Sequence, residues 1–106
     1  MKEKELEERA QKIKTIFHED SGHGWLEVDL DLFIEICPPE YVNKSDIYGF
    51  GYWDVEKSKV YLEEDCEAPD FCKRLDAKYG EDSYEVEYTY CDGYSPIRKL
   101  PRFGCE

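Results

Sequence analysis

The residues best able to do chemistry are two histidines and a later run of acids. His18 and His23 flank Asp20-Ser21-Gly22, and Glu63-Glu64-Asp65-Cys66 lies some forty residues further along. Imidazole and carboxylate are ordinary ligands of divalent ions, so His18, His23, Glu64 and Asp65 make one candidate metal set. Zinc hydrolases instead set two histidines one helical turn apart around a general-base glutamate. That frame is missing, so no metal or other cofactor is expected and the set stands as the alternative. The loop offers a second possibility. Asp20, Gly22, His23, Gly24 and Trp25 combine glycines that let a ligand approach the backbone, a titratable ring and an aromatic surface. A tight turn uses the same residue types, and this plainer use is preferred. Cys66 precedes a predicted helix, whose N-terminus would lower the thiol pKa, with His18 or His23 as base. No oxyanion-stabilising feature accompanies it, and no catalytic residue is assigned.

Charge narrows the partners. Lys and Arg number 14 against 26 Asp and Glu, a formal net charge of −12 over 106 residues. Nucleic acid and anionic lipid would repel such a chain, so neither direct nucleic-acid binding nor membrane binding is expected. A protein partner with a basic surface would be attracted, and Glu85 and Glu87, on the polar face of an alternating segment, are the candidate contact residues. Disorder is excluded by 41% hydrophobic and 15% aromatic residues, enough to build a core. The charged start Met1-Lys2-Glu3-Lys4-Glu5 leads into no signal-like apolar stretch, and no run reaches the ~18 apolar residues of a membrane helix, which favours the cytoplasm. Five cysteines, odd in number and irregular in spacing, read as free thiols.

These residues need elements to position them. Residues 2–13 are rich in helix formers, with Leu6, Ala10, Ile13 and Phe17 as a stripe, and predict a charged N-terminal helix over residues 1–14. Two β-favouring runs around the Gly-rich loop predict a hairpin. Leu26, Val28, Leu30, Leu32, Ile34 and Ile36 alternate as in one long strand. The preferred parse ends the strand at Val28, uses Asp29 as a helix N-cap and buries Leu30, Phe33, Ile34 and Cys37. Residues 47–53 and 59–64 predict a second hairpin. A helix from Asp65 or Cys66 to Tyr79, with Ala68, Phe71, Cys72 and Leu75 inward and Gly80 as stop, comes next, Asp65 capping its free amides. Tyr84, Val86, Tyr88 and Tyr90 alternate with Glu85, Glu87 and Thr89 as a half-exposed antiparallel strand, and residues 92–106 form an irregular tail. The fold class is therefore α+β in a single domain over residues 1–106: a small antiparallel sheet of about five strands, two hairpins plus a last strand, with one main helix packed on it.

Gly22-His23-Gly24-Trp25-Leu26-Glu27-Val28, Val60-Tyr61-Leu62-Glu63-Glu64-Asp65-Cys66-Glu67-Ala68 and Ser95-Pro96-Ile97-Arg98 together resemble a family of small, largely uncharacterised proteins of bacteriophages, plasmids and other mobile elements. The resemblance spans residues 17–100 and implies a genomic setting and a compact domain, with no settled reaction. Two functions stay open. The first is a non-enzymatic acidic accessory protein that binds a protein partner, for instance a host enzyme of nucleic-acid handling or defence. The second is a small metal-dependent or ligand-binding enzyme built on the His18 and His23 loop.

Overall fold

Residues 13–44, 51–80 and 83–101 are described in the computed structural model. The chain forms strands β1 (Ile13–Glu19) and β2 (Gly24–Asp29), helices α1 (Leu30–Ile36) and α2 (Pro39–Lys44), strands β3 (Tyr52–Asp54) and β4 (Lys59–Glu63), helix α3 (Glu67–Tyr79), strand β5 (Tyr84–Tyr90) and a short 3-10 helix (Pro96–Lys99). The strands make one mixed five-stranded sheet in the order β3-β4-β2-β1-β5, and the fold is α+β.

The predicted N-terminal helix falls mostly on residues outside those described, but Ile13 and Lys14 belong to β1 and correct its predicted end. Both hairpins are present, β1 pairing antiparallel with β2 and β3 with β4, but β3 starts only at Tyr52, and residues 47–50 of its predicted strand lie outside those described. The last strand differs from expectation, because β5 runs parallel to β1 from Ile13↔Tyr84 to Glu19↔Tyr90. Connectivity explains this. The thirteen-residue helix α3 returns the chain to the end of the sheet where β4 began, so β5 must run in the direction of β4. β4 is antiparallel to β2, and β2 to β1, so that direction is also the direction of β1.

The preferred parse of residues 26–36 matches the structure, with the strand one residue longer. Asp29 occupies the N-cap position in an extended conformation, but its side chain makes no cap bond and pairs with Lys59 instead. Phe33, Ile36 and Cys37 are buried, whereas Ile34 is 44% exposed, so the inward face of α1 lies one step round from the predicted one.

The main core lies between the helices and one face of the sheet. Leu26, Val28, Val60 and Leu62 meet Phe33, Ile36, Ala68, Phe71 and Leu75 there. Side chains alternate across a strand, so Trp25 and Tyr61 point the opposite way, into a second cluster completed by Ile97. Central strand β2 is thus covered on both faces. Gly24 is required by close approach: a Cβ at that position would lie 2.5 Å from Cζ of Phe17.

Three carboxylates are buried: Asp20, Glu63 and Glu67. Glu67, in the first turn of α3, accepts the backbone N–H of Glu63 at 2.9 Å and of Gly51 at 3.1 Å, tying the helix start to β4 and to the approach to β3. Glu67→Ala leaves both buried donors without this acceptor and is expected to cost about 2–4 kcal/mol in denaturant unfolding, with Glu67→Gln costing less because one carbonyl oxygen remains. Unchanged stability in Glu67→Ala would show that those amides find other partners.

Candidate functional site

The site is built where β1 turns into β2, where β4 hands over to α3, and where the C-terminal segment crosses the sheet on the face opposite the helices. Asp20 fixes the first and third of these. Its Oδ1 accepts the N–H groups of Gly22 and His23, each at 3.0 Å, which folds the loop as a side-chain-closed turn. Its Oδ2 accepts the N–H of Ser95 at 2.8 Å and Nε of Arg98 at 2.7 Å, and Arg98 Nη2 reaches Oδ1 at 3.0 Å. The Arg98 guanidinium beside it holds the Asp20 carboxyl well below the usual range, aided by the three backbone donors and opposed by desolvation. Ser95 caps the 3-10 helix, its Oγ accepting the N–H of Ile97 at 3.2 Å. Arg98 lies 5.1 Å over the Trp25 ring and 4.8 Å over that of Tyr94. The tail therefore folds back as a clamp, and the plain turn expected at residues 20–25 is also its anchor.

Glu63 organises the second junction. Its Oε1 accepts the N–H of Asp65 at 2.8 Å, the N–H of Cys66 at 3.1 Å and the Cys66 thiol at 3.2 Å, while Oε2 hydrogen-bonds Nε2 of His23. Burial pushes its carboxyl up, but the thiol, amide and imidazole partners outweigh this and leave it below its usual value. The cap expected of Asp65 is absent: Cys66 is the N-cap residue without a side-chain cap bond, and Glu63 binds the amides at the entry to α3. The expected activation of Cys66 is also reversed. Burial and the bond to Glu63 push its thiol up to about 11, so it is neutral near pH 7. Cys37, Cys72 and Cys91 are free thiols like Cys66, and Cys105 lies outside the described residues.

The three junctions border an open pocket of about 450 Å³ lined by Gly22, His23, Trp25, Tyr52, Glu63, Cys66 and Arg98. Of the predicted loop residues, Gly22, His23 and Trp25 line it, Asp20 lies behind as their support, and Gly24 is closed off by Phe17. The imidazole of His23 stands edge-on to Trp25 at 5.5 Å and turns Nδ1 toward Glu64, whose Oε1 is 3.6 Å away. His23, Glu64 and Asp65 bring one potential ligand atom each within 4.8 Å of one another. His18, the fourth member of the alternative metal set, is elsewhere: its Nε2 bonds Glu27 at 2.8 Å and its ring packs against Tyr61.

The residues Gly22 to Trp25, Glu63 to Cys66 and Ser95 to Arg98, widely separated in sequence, thus meet at one end of the sheet. No family model matches the chain, and no curated protein or solved structure is significantly similar to it. The site is read from its own chemistry.

That chemistry is lopsided. Asp20 pairs with Arg98 and Glu63 with His23, which leaves Glu64 and Asp65 as the further acids beside the imidazole, with Tyr52 as the half-buried aromatic of the lining. Residue pattern does not mark Tyr52 and Arg98 as pocket residues, whereas Glu63 stands in the acidic run singled out with the two histidines. The signals for Arg98 are its place in the Ser95-Pro96-Ile97-Arg98 segment and a basic tail on an acidic protein, a pattern that favours folding back.

Glu85 and Glu87, the candidate protein contacts, are on β5 and exposed as expected. They lie across the sheet from this pocket, beyond β1.

Proposed function

We propose that the protein is a non-catalytic binding module whose pocket receives the cationic side chain, guanidinium or ammonium, of a protein partner. The observation that carries this reading is the meeting of Glu64 and Asp65 with His23, which itself lines the pocket together with Glu63 and Tyr52. A flat or alkyl-chained cation gains there from both carboxylate pairing and the Tyr52 ring. The charge of −12 adds long-range attraction for a basic partner. No helix among the described residues is long and apolar enough to cross a membrane. The resemblance to proteins of phages and mobile elements supports a cytoplasmic setting with a host or element-encoded partner, such as an enzyme with a basic nucleic-acid groove.

One specific observation favours a second reading, a divalent cation: the ligand atoms of His23, Glu64 and Asp65 are mutually within 4.8 Å. Glu63 on Nε2 would leave Nδ1 facing the ion, the carboxylate–histidine arrangement common behind metal ligands.

Calorimetric titration separates the two. N-acetyl-arginine amide is expected to bind, and Glu64→Gln combined with Asp65→Asn to weaken it at least about tenfold, the loss of one to two charge-assisted bonds. Equal binding of a neutral citrulline analogue would overturn the cation reading. One equivalent of zinc or manganese, lost in His23→Ala, would establish the metal instead.

A further inference from the structure

The two edges of the sheet are finished differently. At the β3 edge the N–H of Trp53 donates to the carbonyl of Pro101 at 3.0 Å, so the chain's own C-terminal segment covers a strand that is only three residues long. At the other edge β5 runs for seven residues, and no described strand pairs with its outer side. Its outward groups follow from two backbone hydrogen bonds at its ends. The carbonyl of Ser83 accepts from Ile13 N–H and the N–H of Cys91 donates to the Glu19 carbonyl, so odd-numbered residues face β1. Main-chain groups alternate in direction along a strand, which turns those of Tyr84, Val86, Tyr88 and Tyr90 outward. The segment Tyr-Glu-Val-Glu-Tyr-Thr-Tyr contains no proline, glycine or lysine, residues with which exposed edges are commonly blunted.

Side chains grade the two faces of this edge. On the helix side Tyr84 and Val86 pack against the core, whereas Tyr88 is 78% and Tyr90 59% exposed, with Phe17 5.9 Å from Tyr88. On the other side Glu85 and Glu87 are exposed.

We infer that β5 is a docking edge that adds an extended, basic segment of a partner protein as a sixth strand. Main-chain bonds to the four outward residues supply affinity, and side chains at alternate positions supply selectivity: lysine or arginine over Glu85 and Glu87, apolar groups over Tyr88 and Tyr90. Charge complementarity decides the occupant. A second copy paired antiparallel would gather the glutamates of both strands on one face, in chains that each carry −12. This surface stands on β5 alone and does not depend on what occupies the pocket.

The test uses the full chain and a capped seven-residue peptide alternating lysine and valine, read by residue-resolved amide exchange. Addition of the peptide is expected to protect the N–H groups of Tyr84, Val86, Tyr88 and Tyr90, and the same peptide N-methylated at alternate residues, or with glutamate for lysine, to bind at least about tenfold more weakly. Tyr88→Pro removes one outward donor while sparing the bonds to β1, and is expected to weaken binding by a similar factor. Glu85→Lys with Glu87→Lys should lower the association rate and flatten its salt dependence. Protection that appears only around His23 and Glu64 would overturn the inference, because the peptide would then be using the pocket. Protection of the four amides without peptide would also overturn it, by showing the edge already occupied: by a second copy if it rises with protein concentration, or by residues 1–12 if it disappears on their deletion.

Discussion

Phe71→Ala is expected to destabilise the protein by about 3–5 kcal/mol, the range for emptying a buried aromatic site. Phe71 is fully buried in α3, stacked near Phe33 of α1 with ring centroids 6.2 Å apart, and it meets the β2 and β4 side chains of the main core. It joins both helices to the sheet, so neither neighbour can collapse into the space without giving up its own contacts. Domains of this size are stable by about 5–15 kcal/mol, so much of the margin disappears. Urea unfolding at neutral pH reads it directly, and a midpoint near that of the wild type would place the core elsewhere. Leu75→Ala, one turn further along the same buried stripe, should follow at about 2–5 kcal/mol.

Asp20→Ala is expected to have the largest effect of any polar substitution. It removes the acceptor shared by Gly22, His23, Ser95 and Arg98, and so releases the loop and the C-terminal segment together. Amide exchange of Ser95 and Ile97 should accelerate by more than about tenfold, and the melting temperature should fall. The same bonds make stability pH-dependent. The folded-state pKa of Asp20 is depressed, so its contribution is fully present above the unfolded aspartate pKa of about 4 and is lost as pH falls through the folded value. Glu63 acts in the same direction. Wild-type melting temperature should therefore decline on acidification below about pH 4, and Asp20→Ala should decline less steeply over that range. Parallel curves for the two proteins would mean that Asp20 is solvated and the clamp is absent.

Much of this architecture is legible in residue pattern, for physical reasons that also explain the errors. Helix α3 carries its stripe of Ala68, Phe71 and Leu75 and its glycine stop in local sequence, and Gly80 has φ 97° and ψ 160°, a positive-φ backbone outside the αL region that glycine adopts readily. The first hairpin is equally local, closed by Asp20 on the amides of its own loop. The direction of β5 is not encoded in its alternation, which parallel and antiparallel edge strands share. It follows from the helix that precedes it, a crossover that forces parallel pairing with β1. The inward turn of Asp20, Glu63 and Glu67 is hidden for another reason. A carboxylate next to turns and helix starts looks the same whether it is solvated or binds main-chain donors, and only the tertiary fold decides. The pocket shares this property, since Tyr52, Glu63 and Arg98 are brought to His23 by three separate connections.

The account turns on what enters that pocket. The most direct measurement is an intermolecular NOE experiment on the full chain with N-acetyl-arginine amide, observing the aromatic protons of Tyr52 and the ring protons of His23. Contacts from the arginine methylenes to Tyr52, lost when Glu64→Gln and Asp65→Asn are combined, are the predicted result. Saturating arginine that leaves these rings without contacts, or contacts that persist in the double variant, would contradict it.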